Sequence, residues 1–280
     1  MHPDLINIGP LHLKTYGACL AAGFLICSFL VEKISKRRDI SALLVSLMLC
    51  GVIGARIAYV IEYWDRQFAG NFWNIFRVDQ GGLVFYGGLL LSIIWYIGWC
   101  IVKKAKVTEL SDILCAVIPL GHAFGRIGCY FYGCCYGRLV DNAFKLKHPF
   151  ISQFSVKFPF NSPAWNEQFV NGLIPASAKK SLAVLPTQLF ESLALFVLFA
   201  ILMILTFKTS ESRKAGRHGL VTGVYLVGYS LIRFALEYLR GDPRAAVGPF
   251  SIAQTISFGM FSLGAFFIIR FALFKAPKSN

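Results

Sequence analysis

Charged side chains are scarce in this 280-residue chain: they form 15% of it, against 56% hydrophobic residues and a mean hydropathy of +0.60. That balance excludes an ordinary soluble globular domain and indicates an integral membrane protein. Other features are absent too. No basic stretch precedes the first apolar run and no small-residue cleavage site follows it, so that run is expected to be a first helix and not a removable signal. The sequence holds no Cys-x-x-Cys pair, which weighs against a dithiol oxidoreductase. Nor does it show a convincing internal repeat, which weighs against a transporter.

What the sequence does contain is seven apolar runs, at about 15–32, 41–63, 83–102, 109–131, 187–207, 219–239 and 250–273. Each approaches the roughly 20 residues needed to cross a bilayer. The expected fold is an all-α polytopic membrane protein, with seven transmembrane helices in one integral membrane domain over residues 1–280. Lysine and arginine gather in alternate connections: EKISKRR at 32–38, KKAK at 103–106, KTSESRKAGRH at 208–218, and the tail with Lys275 and Lys278. The connections at 64–80 and 241–249 balance arginine with aspartate. By the positive-inside rule the N-terminus lies outside and the C-terminus in the cytoplasm of a cell membrane. The net charge of +14 then belongs mostly to loops facing anionic headgroups, and it gives no reason to invoke nucleic acid. The long connection 137–186, with FPFNSPAWNEQF in it, falls on the outer side and reads as an ordered cap.

Five of the eight cysteines sit singly inside apolar runs, where cysteine behaves as a small hydrophobe. Cys129, Cys134 and Cys135 cluster instead at the expected outer face. Close packing is the favoured reading, with a disulfide and a metal site left open. Three thiols lacking a spaced histidine make a poor zinc site, so no metal or cofactor is expected.

Ionisable groups inside a bilayer are costly, and each one asks for a partner. Arg56, Glu62, Asp112, Arg126, Glu191, Arg233, Glu237 and Arg240 all fall within or at the ends of the runs. In GYSLIRFALEYLRGDPR, Tyr229, Arg233 and Glu237 recur every four residues and share one helical face. Either Glu237 merely neutralises Arg233, or it orients Arg233 toward a ligand phosphate, which guanidinium groups recognise bidentately. The stretch GRIGCYFYGCCYGR at 125–138 supplies a second arginine, Arg126, one helical turn after His122. Gly125 and Gly128 permit close helix contact, and Gly133 and Gly137 are expected to expose backbone N–H groups to an anion. A third glycine-rich stretch, GGLVFYGG at 81–88, puts Tyr86 just before Gly87 and Gly88. Two arginines with three glycine-rich openings at one membrane level suggest a site for an anionic headgroup.

These residues carry a likeness. IGPLHLKTYG, GARIAYV, GGLVFYGG, GRIGCYFYGCCYGR, LPTQLFE, GYSLIRFALEYLR and the Gln254 region occur in an order that resembles the prolipoprotein diacylglyceryl transferase family. The resemblance implies seven spans with the N-terminus outside, in a bacterial inner membrane. It also implies transfer of a diacylglyceryl group from phosphatidylglycerol to the lipobox cysteine of prolipoproteins, giving a thioether and glycerol phosphate. Tyr16, Arg126, Gly137, Tyr229, Arg233 and Glu237 match motif positions associated with activity, as do Gln188 and Glu191. Four polar positions depart from the motifs. Tyr86 stands where the family has histidine, Cys129 and Cys134 where it has asparagine and glutamate; Leu185 replaces a further histidine. The GHA-GR-GC-GCCYG pattern resembles one branch of the family.

A thiol with a pKa of about 8.5 needs help to ionise at neutral pH. Tyr86 or His122 is expected to act as base, with Arg126 and Arg233 clamping the phosphate and Tyr16, Gly137, Gly87, Gly88, Gln188 and Glu191 lining the site. The rival reading is a non-catalytic phospholipid-binding or transporter-like relative.

Overall fold

The computed structural model describes residues 4–8, 11–35, 37–70, 72–77, 82–211, 216–241 and 246–273. Seven helices are long and apolar enough to cross a membrane: α1 (Thr15–Ser35), α2 (Ile40–Glu62), α3 (Phe85–Val102), α4 (Val107–Tyr132), α8 (Thr187–Lys208), α9 (Leu220–Glu237) and α10 (Ile252–Leu273). Each expected run falls on one of them. Between α4 and α8 come the short helices α5 (Asn142–Lys147), α6 (Pro149–Ser152) and α7 (Pro163–Val170). Two antiparallel pairs were not legible in the hydropathy: β1 (Asp4–Ile8) with β2 (Leu11–Lys14), and β3 (Ala246–Val247) with β4 (Phe250–Ser251). Strands of two to five residues are too short to impose a recognisable alternation.

The chain forms two compact units, one of residues 31–110 and one of residues 1–30 with 111–280. In the first, α2 and α3 meet through glycines. A Cβ on Gly54 would lie 2.5 Å from the Gly87 carbonyl oxygen, and one on Gly88 would lie 2.5 Å from that of Gly51. The two backbones touch, as small residues allow in lipid. Arg56 is buried and donates to the backbone carbonyls of Asn74, Ile75, Arg77 and Gly82 at 2.6–3.2 Å. Its guanidinium also lies 5.5 Å from the ring centroids of Tyr59 and Phe68. This intramembrane arginine therefore pins the connection that follows α2.

In the second unit the helices bury polar faces and leave apolar ones outside, the distribution a bilayer favours. On α8, Gln188, Glu191, Ser192, Leu195, Leu198 and Leu202 are buried, while Leu193, Val197, Ile201 and Ile204 are exposed. Helices α9 and α10 approach at Gly223 and Gly264, where a Cβ on either would come within 2.8 Å of the other's carbonyl oxygen. Asp112, 1% exposed, accepts from Gly219 N at 2.7 Å and from Thr222 N and Oγ1 at 2.8 and 2.7 Å. It thus satisfies amides at the N-terminus of α9, where negative charge is favourable. Gly219 itself has φ +105°, a conformation that excludes most side chains.

The segment between α4 and α8 is folded around Tyr136, Phe158, Ala164 and Val184. Isolated bridges pair Leu139 and Val156 with Val184, and Pro159 with Lys180. Asp141 caps α5 and Ser162 caps α7, the latter with Pro163 in its first turn. Trp165 Nε1 donates to the Ala178 carbonyl at 2.7 Å, and Tyr136 OH to Glu167.

Candidate functional site

Arg126 stands on α4 one turn after His122, and both side chains face Glu191 of α8. Arg126 Nη2 is 3.0 Å from Glu191 Oε1 and His122 Nε2 is 3.7 Å from the same oxygen. Glu191 is 1% exposed, so its charge has to be met inside the protein. Ser192, next on α8, fixes the register by donating to the Ala123 carbonyl at 3.2 Å.

Helix α9 contributes the expected stripe. Arg233 Nη2 lies 2.7 Å from Glu237 Oε2, an i,i+4 pair that is almost wholly buried. One turn earlier the Tyr229 ring packs against His122, with centroids 5.2 Å apart, and stacks on Tyr225 at 6.0 Å. Arg126 and Arg233 both lie close enough to act electrostatically on His122 and on Tyr229. Two arginines distant in sequence therefore converge with His122, Tyr229, Glu191 and Glu237. Within this cluster, Arg126 Nε and Gln188 Oε1 are buried polar atoms with no hydrogen-bond partner among the described residues.

The wall of the cluster follows α4. Tyr16 of α1 packs against Gly128, where a Cβ would lie 2.9 Å from Tyr16 Cδ2. The chain turns at Gly133, φ +84°, and runs through Cys134 and Cys135. Gln188 Nε2 donates to the Cys134 carbonyl at 2.6 Å and Thr187 Oγ1 to that of Cys135 at 3.0 Å. Gly133 N and Gly137 N were expected to face an anion, and the structure corrects this. Gly133 N bonds back to Cys129 O at 2.9 Å, and Gly137 N to Leu185 O at 2.8 Å. Gly137 is glycine for a different reason: a Cβ there would lie within 2.8 Å of Leu239 O, Thr187 Cγ2 and Leu185 Cβ.

Cys129, Cys134 and Cys135 are free thiols whose sulfurs all lie within 4.8 Å of one another. Hydrogen bonds from Cys129 and Cys134, opposed by burial and aided by the charges of Arg240 and Arg126, hold the Cys135 thiol below the ordinary range. The same contacts push the Cys134 thiol up. Two of the motif departures, Cys129 and Cys134, are thus one structural change, completed by Cys135. Leu185, in the place of a motif histidine, is fully buried.

Tyr86, Gly87 and Gly88 belong to the other unit. Tyr86 opens α3, is 55% exposed and meets Phe85 edge to face. Gly87 and Gly88 form the contact with α2 described above. The role of Glu191 as counter-ion to Arg126 was not read from the sequence. A lone carboxylate in an apolar helix was the available signal, but its partner is set by packing between helices.

The family profile described as prolipoprotein diacylglyceryl transferase matches residues 3–270. A phosphatidylglycerol–prolipoprotein diacylglyceryl transferase of Prochlorococcus marinus subsp. pastoris is 32% identical over 98% of this chain and 94% of its own length. Proteins of the same name from Clostridium tetani and Photobacterium profundum are 29% and 30% identical, covering 95% and 99% of the chain and 96% and 95% of their own lengths. This chain belongs to the prolipoprotein diacylglyceryl transferase family.

Proposed function

We propose that this protein transfers the diacylglyceryl group of phosphatidylglycerol to the lipobox cysteine of prolipoproteins, forming a thioether and releasing glycerol phosphate. Family membership supports the reaction. The observation that carries the site is the cluster of Arg126 with Glu191 and Arg233 with Glu237, around His122 and Tyr229. In the reaction the cysteine sulfur attacks the glyceryl carbon that bears the phosphate. A C–S bond forms, the C–O bond breaks, the thiol proton passes to a base, and the bonding pair leaves with the phosphate.

The protein's part is then electrostatic. Arg126 and Arg233 hold the phosphate and stabilise the charge that develops on it, while Glu191 and Glu237 fix their geometry. His122, beside the Glu191 carboxylate, takes the thiol proton on this reading; Tyr86 is the second candidate. Tyr229 packs the imidazole in place, and Tyr16, Gly137 and Gln188 shape the wall. The distribution of lysine and arginine supports one membrane domain over 1–280 with the N-terminus and the 137–186 segment outside.

Purified protein in vesicles with labelled phosphatidylglycerol and a lipobox peptide provides the test. Removing one such donor is expected to slow turnover by about 10²- to 10³-fold. Full activity in Arg233→Ala would eliminate the clamp, and full activity in both His122→Ala and Tyr86→Phe would eliminate both bases. A protein that binds the lipid and leaves the peptide unmodified would be the non-catalytic relative.

A further inference from the structure

We infer that Cys129, Cys134 and Cys135 form a trithiolate site for a soft, thiophilic metal ion. The sulfurs come from the last turn of α4 and the turn after it, and lie within 4.8 Å of one another without a disulfide. Zinc–thiolate bonds of about 2.3 Å in a planar trigonal site would set the sulfurs about 4.0 Å apart. The trio therefore needs to contract by less than about 1 Å around such an ion. That is within reach of thiol side chains turning about χ1, with the backbone held in place. Holding it is the task of neighbouring groups: Gln188 and Thr187 donate to the carbonyls of Cys134 and Cys135, and Gly137 is paired with Leu185 and Arg240.

The ligand set selects the ion. Thiolate is the preferred donor of soft d¹⁰ ions, and oxygen-seeking magnesium or calcium has no ligand here. Binding follows M²⁺ + 3 RSH → M(SR)₃⁻ + 3 H⁺, with no electron transferred. The complex carries one negative charge, and Arg126 and Arg240 both act electrostatically on this cluster. Anionic trithiolate is thus formed beside cations that offset it. Because Cys134 and Cys135 share hydrogen bonds with the start of α8, an occupied site would also stiffen the wall that carries Arg126. The inference stands on the sulfur geometry and does not depend on the transferase reading.

Cadmium is the direct probe, added to reduced full-length protein in detergent. The expected result is a thiolate-to-metal charge-transfer band that saturates at one ion per chain. Bound cadmium is also expected to protect Cys129, Cys134 and Cys135 of the unaltered protein from alkylation, with the half-buried Cys19 and Cys50 unprotected. Cys134→Ser and Cys135→Ser should each weaken binding by at least about 100-fold, since changes in groups behind metal ligands already cost 10- to 100-fold. Three results would overturn the site: no saturable band, a band that persists in the triple serine variant, or alkylation of the trio unaffected by cadmium.

Discussion

Glu191→Gln isolates the contribution of one buried carboxylate. Glu191 is 1% exposed and 3.0 Å from Arg126, whose side chain is 16% exposed. With charge centres about 4 Å apart and an effective dielectric near 20, the attraction lost is about 4 kcal/mol. Breaking a buried pair by removing one partner costs about 3–5 kcal/mol, because the remaining charge is left uncompensated. Glutamine keeps a carbonyl that Arg126 can still use, which returns about 1 kcal/mol. A net loss of about 2–4 kcal/mol is therefore expected for the single variant. Arg126→Met in the same background removes the stranded cation, so the double variant should lose less than the sum of the singles. The assay is reversible unfolding of the full chain in mixed micelles, arranged as a double-mutant cycle. A coupling energy of about 2 kcal/mol or more is expected. If it falls below about 0.5 kcal/mol, Glu191 is not what stabilises Arg126 and the reasoning fails.

Further outcomes can be checked on the same protein. Asp112→Asn keeps one acceptor and turns a donor toward the amides of α9, so a loss of about 2–3 kcal/mol is expected in the same unfolding assay. Gly137→Ala places a methyl within 2.8 Å of three neighbours, and stability should fall along with turnover; lost turnover at unchanged stability would mean the position serves a ligand. Arg37 hydrogen-bonds Asp39 ahead of α2 and holds its carboxyl below the ordinary 3.8. A depressed folded pKa stabilises above the unfolded value, so this small surface contribution is present above pH 3.8 and fades as pH falls below it. Carbon-detected titration of Asp39 should show its midpoint rising in Arg37→Gln and at high salt.

The seven spans were legible because a bilayer forces long apolar helices, and the Tyr229, Arg233, Glu237 stripe because a helix puts every fourth residue on one face. His122 and Arg126 were paired by the same periodicity. What the sequence did not disclose was each partner lying on another helix. Glu191 and Asp112 read alike, as isolated carboxylates in apolar runs. One meets Arg126, and the other binds the amides that begin α9. Nothing local separates these fates, because both depend on which helices pack together. Glycines were ambiguous for a related reason: Gly87, Gly88 and Gly137 are required by close backbone approach, and a sequence shows a missing side chain without showing what fills its place.

Charge conservation distinguishes the two proposed bases. Arg126 and Arg233 are each matched by a carboxylate, so these four groups sum to zero, as a site in low dielectric requires. A phosphatidylglycerol brings one negative charge. If the thiol proton stays in the site, first on His122 and then on the departing phosphate, the total remains at one negative charge from start to finish. Releasing that proton to water would leave two. A neutral imidazole has one bare ring nitrogen and can both accept and return the proton. A tyrosine can accept one only as phenolate, which adds a negative charge before the reaction begins. On the proposed reaction the charge count favours His122 over Tyr86 as the base, and Tyr86→Phe should cost far less turnover than His122→Ala. The reverse order would refute His122 as the proton acceptor, and would show that Arg126 and Arg233 tolerate more uncompensated charge than their carboxylate pairing implies.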